Sequence, residues 1–132
     1  MIWCVTGQTH SAVINNANTA TITLATTFSA LPLFHTFGII ILFGAIYTGK
    51  ITSMFGGDLP VTGENMIAGL KTTRPDIYYL VPYTLKLMME TDGGIEAMRM
   101  CRSVCYSGSA CPEELGNKVT AAGVVLSSYY GS

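Results

Sequence analysis

Three short segments of this 132-residue chain carry side chains that could meet a ligand. The first is LPLFHTFG at residues 31–38, with an imidazole at His35. The second is Ser107-Gly108-Ser109-Ala110, followed by Cys111-Pro112. The third is Tyr129-Tyr130-Gly131-Ser132. The small side chains at 107–110 would let a flat ligand come close to the backbone. The helix that Pro112 opens would turn its N-terminal amides toward an anion. An ordinary strand-to-helix turn has the same composition, and spacing alone favours that reading. His35 is either a ligand-contacting imidazole or a hydrogen-bonded core histidine, and taken singly the core reading is the better one. Tyr129 and Tyr130 could stack on a base or pack against a sheet.

Several kinds of chemistry are excluded. There is no G-x-S-x-G elbow, and His10 and His35 are the only histidines, so no hydrolytic triad is credible. Neither a G-x-x-x-x-G-K-[ST] loop nor a G-x-G-x-x-G fingerprint occurs. Cys101, Cys105 and Cys111 include no CxxC pair, so a zinc site is not expected. The expectation is instead that Cys101 and Cys105 lie on one face of a buried strand as small apolar residues. The seven basic residues are scattered (Lys50, Lys71, Arg74, Lys86, Arg99, Arg102, Lys118) and the net charge is −1, which excludes a nucleic-acid surface.

The elements that position these segments alternate. Residues 21–30 (TITLATTFSA) read as a strand rich in β-branched side chains. Residues 37–48 read as a buried helix stopped by Gly49, and 50–55 as a strand. Thr62 suits the N-cap of a helix that runs to Thr73 and is broken by Arg74-Pro75. A strand at 76–81, a helix from Pro82 to Glu90 and a short helical piece at 95–98 follow. A strand at 101–106, a helix at 113–122 and a strand at 124–128 complete the series. Strand–helix alternation, with strands apolar on both faces, predicts an α/β fold: a doubly wound, mainly parallel sheet. In such sheets ligands bind beyond the carboxyl ends of the strands. All three candidate segments fall there.

Composition raises a separate question. Hydrophobic residues make up 49% of the chain and charged residues 11%, against about 25% charged in ordinary soluble domains. The most apolar run, residues 37–47, is too short for the roughly 20 residues that a spanning helix needs. It also lacks flanking basic clusters. No membrane insertion is expected; some of the surface is expected to be covered by other protein. The start, MIWCVTGQTHSAV, lacks the pattern of a signal peptide. A cytoplasmic location with reduced thiols is therefore expected.

Taken together, the three segments resemble the adenylate-forming, AMP-binding superfamily of acyl-CoA synthetases, luciferases and nonribosomal peptide synthetase adenylation domains. LPLFHTFG resembles that family's Pro-x-x-His element at the acyl-binding helix. SGSACPEEL at 107–115 resembles its adenine-binding loop and the helix after it. Tyr130-Gly131-Ser132 resembles the start of its Tyr-Gly-x-Thr-Glu motif, and RPDIYYLVPYTLKLMME at 74–90 an element between them. The wording most resembles the fungal nonribosomal-peptide-synthetase-like carboxylic acid reductases.

The resemblance implies an activity in which a carboxylic acid and ATP, with magnesium, give an acyl-adenylate and pyrophosphate. A phosphopantetheine carrier is a possible later partner in the parent enzyme. It implies that Gly108, Ser109 and Ala110 lie along the adenine ring, that Tyr130 stacks on it, and that Gly131 and Ser132 adjoin the AMP. His35, Gly38, Cys105, Ser107 and Tyr129 would line the acyl pocket. Departures are as telling. Thr9-His10 resembles the pair that follows the family's phosphate loop, but Met1 to Gln8 do not match that loop. The metal-binding Glu, the ribose-binding Asp and the subdomain with the catalytic Lys have no counterpart in these residues. Residues 1–132 are therefore expected to be a partial AMP-binding domain that is inactive alone, with no catalytic or metal-binding residue and no tight cofactor binding of its own. A non-catalytic binding remnant and a small hydrophobic membrane-associated protein are the alternatives.

Overall fold

The computed structural model describes residues 25–129. Among them, five strands form one parallel sheet: β1 (Thr27–Ser29), β2 (Thr52–Met54), β3 (Ile77–Leu80), β4 (Ser103–Tyr106) and β5 (Leu126–Ser128). The linking helices are α1 (Thr36–Thr48), α2 (Gly63–Thr73), α3 (Pro82–Glu90), α4 (Gly94–Arg99) and α5 (Glu113–Ala121). The strand order is β2-β1-β3-β4-β5. The chain thus steps from β1 to one side, then returns past β1 and continues to the other. Right-handed crossovers in opposite directions put their helices on opposite faces. Accordingly α1 covers one face, and α2 to α5 pack on the other. The expected doubly wound α/β architecture is observed.

Alternation along the strands decides which side chain joins which core. Phe28, Tyr78, Leu80 and Val104 face Met66 and Leu70 of α2, Leu85 and Met88 of α3, Met98 of α4 and Val119 of α5. Tyr79 and Cys105, the neighbours of Tyr78 and Val104, point the other way and join Leu31 and Ile41 beneath α1.

Local signals act as their chemistry requires. The Thr62 hydroxyl accepts the Asn65 amide at 3.3 Å and caps α2. At the amino end of the sheet, one Asp76 carboxylate oxygen accepts from the Thr26 amide at 2.8 Å and from its hydroxyl at 3.2 Å. That pair ties the start of β3 to the start of β1, at the edge opposite the carboxyl ends of the strands.

Two expectations are corrected. Helix α1 is not buried all round. Gly38, Ile41 and Ala45 face the sheet, while Phe43, Ile46 and Tyr47 are 59%, 69% and 84% exposed. Apolar composition on every side hides which stripe a single sheet face can cover. Second, Cys101 and Cys105 do not share a face. The strand begins only at Ser103, so a two-residue period does not reach Cys101. Cys101 instead enters the core under α2 to α5, and Cys105 the cluster under α1. The first strand is also shorter than expected; residues 21–24 lie outside the described residues. No helix among the described residues is long and apolar enough to cross a membrane.

Candidate functional site

The connections that leave the parallel neighbours β1 and β3 run to opposite sides, and the place outside their carboxyl ends is where an open parallel sheet offers a ligand crevice. The β1–α1 connection borders it on one side, and Val81, where α3 begins, borders it on the other.

His35 occupies the N-cap of α1, exposed, with extended backbone and no side-chain capping bond. Its amide donates to the Pro32 carbonyl at 3.2 Å, its own carbonyl accepts from the Ile39 amide at 3.1 Å, and its ring rests on Phe34 at 4.9 Å. The imidazole is therefore available at the mouth of the crevice and is not a core histidine. Gly38, one turn in, is buried. A Cβ there would stand 3.0 Å from the Pro32 carbonyl carbon and closer still to its oxygen. The absent side chain is what lets α1 press on the loop that presents His35.

Cys105 lies in β4, 3% exposed, and burial pushes its thiol up from the ordinary range. Ser103 places its hydroxyl 3.5 Å from that sulfur and 3.3 Å from the Ser127 hydroxyl. Tyr129 follows β5, and its amide donates to the Tyr106 carbonyl at 2.8 Å. Its ring meets Tyr79 at 6.0 Å and Phe37 at 6.2 Å, and Phe37 meets Tyr79 at 6.0 Å. Burial, then the adjacent Cys105, pushes the Tyr129 phenol up to about 12. Tyr79 is raised as well, by burial first and by Tyr129 and Cys105 after it. All three groups stay protonated at neutral pH. None of the three is thus activated as a nucleophile or base.

Ser107 continues from β4 half-buried, its amide donating to the Leu80 carbonyl at 3.2 Å. Gly108, Ser109 and Ala110 are exposed. Gly108 has φ +95°, the left-handed region that favours glycine, and a Cβ there would lie 3.4 Å from a Val81 methyl. This gives an open shelf with unhindered backbone at the carboxyl end of β4, leading into α5. Tyr130, Gly131 and Ser132 lie outside the described residues.

Cys105 and Tyr129 are thus brought into contact, and His35 and Gly38 flank the Phe37 that joins them. The shelf at 108–110 borders this cluster through Val81, which packs against it and lies beside Gly108. Sequence reasoning missed Phe37 and Tyr79. The signal was present: Phe37 stands between His35 and Gly38, and in Ile77-Tyr78-Tyr79-Leu80 one tyrosine must face each side.

What the site lacks is cationic charge. The segments at the carboxyl ends of the strands, residues 30–35, 55–62, 81 and 107–112, contain no Lys or Arg. Lys50, Arg74 and Arg102 lie in connections that enter strands at the opposite edge. Among the described residues no three His, Cys, Asp or Glu side chains gather as metal ligands. The donors present do not fit a magnesium ion.

Comparison with known proteins bears on the family and the fold. The family model described as AMP-binding enzyme matches residues 7–132. The chain is 24% identical over 106 residues to the adenylate-forming reductase Nps10 of Heterobasidion annosum, covering 78% of this chain and 10% of that protein. It is 29% identical over 104 residues to the adenylate-forming reductase stbB of Stachybotrys bisbyi, covering 79% and 10%. The chain therefore spans about a tenth of the length of these relatives. Among solved structures, the O-succinylbenzoate coenzyme A synthetase MenE of Bacillus subtilis in complex with AMP superposes with a TM-score of 0.66 at 19% identity, over 96% of this chain and 24% of that one. The same enzyme in complex with ATP and magnesium gives 0.65 at 20%, over 91% and 24%. Likeness at that identity shows the fold.

Proposed function

The chain belongs to the AMP-binding enzyme family, and from that premise we propose that residues 1–132 form part of an ATP-dependent acid-activating domain. They would supply its adenine shelf and one wall of its acyl pocket. The reaction is attack of a carboxylate oxygen on the α-phosphorus of ATP, forming an acyl-adenylate and releasing pyrophosphate. The observation that carries this reading is that His35, the Phe37–Tyr79–Tyr129 cluster and the Gly108 shelf all lie at the carboxyl ends of the parallel strands.

In this reading Gly108, Ser109 and Ala110 lie along the adenine ring, with Tyr130 stacking and Gly131 and Ser132 beside the AMP. His35 approaches the acid carboxylate. Gly38, Cys105, Ser107 and Tyr129 line the pocket that holds the acid's tail. Magnesium, when bound, neutralises the phosphates. No residue described here fits it, so this chain's part is to bind and orient. Positioning supplies much of the rate in such transfers, but the charge must also be clamped. The basic-free loops leave that clamp unfilled, so the chain alone should not turn over. The reductase relatives motivate a phosphopantetheine carrier as the later acceptor of the acyl group. The free thiols of Cys101, Cys105 and Cys111 fit a reducing cytoplasm.

Titration of the chain with ATP and magnesium tests the proposal. Adenine contacts without a phosphate clamp should give a Kd in the millimolar range, about −4 kcal/mol. Chemical shift changes should centre on 108–110. Micromolar, magnesium-dependent binding would show a complete nucleotide site and refute the partial one. No response at 108–110 would remove the adenine shelf.

A further inference from the structure

Helix α1 carries one apolar stripe on its outer side. With about 3.6 residues per turn, Ile39, Phe43, Ile46 and Tyr47 fall within roughly a third of the helix circumference, opposite the buried Gly38, Ile41 and Ala45. Leu33 and Phe34 precede the first turn and Ile51 follows the last, so the exposed apolar set extends past both ends. These seven side chains are between 39% and 84% exposed. Residues 31–49 contain no Asp, Glu, Lys or Arg.

The size of this surface says what it can meet. At about 150–250 Å² per aromatic side chain, the exposed shares of Phe34, Phe43 and Tyr47 come to roughly 450 Å². At about 60–120 Å² per whole aliphatic side chain, those of Leu33, Ile39, Ile46 and Ile51 add roughly 200 Å². The largest apolar patch on a typical monomer is about 300–600 Å². Two such faces laid together would bury on the order of 1,300 Å², inside the range of about 1,200–2,000 Å² for specific complexes. An uncharged face cannot steer a partner of either sign. What it matches is a surface as apolar as itself. The other exposed large apolar side chains, Leu59, Val61, Tyr83, Met100 and Val125, are scattered over separate loops and elements. A head-to-tail contact therefore finds no matching patch among the described residues, and a self-complementary one remains.

We propose that the outer face of α1 is the interface of a homodimer. Two copies pair these helices antiparallel, so that their dipoles oppose. The two-fold axis passes beside Phe43, near the middle of the set that runs from Leu33 to Ile51. Phe43 then packs on its own copy, and Ile39 on the partner's Tyr47. The second copy is the other protein that the low charge of the chain calls for.

Sedimentation of the whole chain over a concentration series tests this. The unaltered chain should pass from 14.1 kDa to twice that mass and stop there. Because the axis sets residue 43 against itself, Phe43→Glu and Phe43→Lys should each weaken the dimer about tenfold or more through like-charge repulsion. Mixed in equal amounts, the two should dimerise again, one chain of each. Should either variant lose its helical circular dichroism, Ile39→Lys mixed with Tyr47→Glu reads the same pairing, and the mixture should dimerise more tightly than either variant alone. An unaltered chain that stays monomeric at its highest soluble concentration would overturn the proposal and assign the face to another part of the protein. Growth past the dimer would refute the two-fold axis. So would folded variants that each still dimerise, or that fail to recover on mixing.

Discussion

Replacing Gly38 by alanine should destabilise the chain, whereas the same change six residues later should not. The added Cβ at Gly38 would meet the Pro32 carbonyl, with the carbon at 3.0 Å and the oxygen nearer. Carbon–oxygen contacts normally lie at about 3.3–3.6 Å. The obstacle is backbone, held by the His35 amide bond to that same carbonyl, so it cannot swing aside as a side-chain tip would. At Gly44, in the same helix, a Cβ meets nothing within 4 Å. Both substitutions gain helix propensity, up to about 1 kcal/mol. Only Gly38→Ala adds overpacking, about 1–3 kcal/mol. Propensity cancels in the comparison, so the two variants should differ by roughly the overpacking cost. With a urea slope of about 1–3 kcal/mol/M, their midpoints should lie on the order of 1 M apart, Gly44→Ala the higher. Urea unfolding followed by circular dichroism at low protein concentration measures this. Coincident midpoints would refute the close contact between α1 and the His35 loop.

Other expectations rest on single features. The Tyr78 hydroxyl is fully buried and has no hydrogen-bond partner among the described residues. Tyr78→Phe should therefore be neutral or stabilising by about 1 kcal/mol, and a midpoint lowered by as much would reveal a partner. The exposed apolar side chains of α1 should make the chain self-associate, and Phe43→Glu with Ile46→Lys should reduce this in light scattering. Unchanged scattering would locate the association elsewhere. Tyr129 is protonated in the folded chain up to about pH 12, but a free phenol only to about 10. The folded state then binds more protons between those values, so the contribution of Tyr129 to stability is complete below pH 10 and is lost as pH rises toward 12. Tyr129→Phe should flatten that alkaline decline, and an equally steep loss in the variant would remove Tyr129 as its source.

The parts of the fold visible in the sequence were those set by local chemistry. Thr62, Pro82 and the β-branched and aromatic strands each act within a few residues of themselves, and their elements appear where these signals place them. Strand order is different. That β1 lies between β2 and β3 depends on which way each crossover turns, and nothing in residues 50–76 states it. The site divides in the same way. His35 and Ser107 to Ala110 could be named because small or polar residues punctuate the ends of strands, whereas Cys105, inside β4, was named only through the family resemblance. Tyr79 and Phe37 could not be told from core aromatics until the sheet put one ring edge-on to the other. Cys101 and Cys105 show the opposite error. Four residues apart would share a strand face, but the bend at 100–102 breaks the period before β4 begins.

The low charge of the chain and the form of α1 have one explanation. A helix at the surface of a soluble domain ordinarily opposes a charged face to its buried stripe. Helix α1 has no charged residue in its thirteen, and it keeps apolar side chains at Ile39, Phe43, Ile46 and Tyr47 where α5 carries Glu114 and Lys118. Both helices cross between neighbouring parallel strands, so the difference does not lie in their place in the chain topology. It lies in what each outer face meets. Helix α5 ends its layer in water, with an exposed ion pair at 2.7 Å. The outer face of α1 has the composition of an internal layer. A parallel sheet is covered on both faces, and here the covering helix itself asks to be covered. The His35 end of that helix is also the mouth of the proposed acyl crevice. Whatever shields Phe43 and Ile46 from water would therefore bear on the same rigid element that positions His35, Phe37 and Gly38.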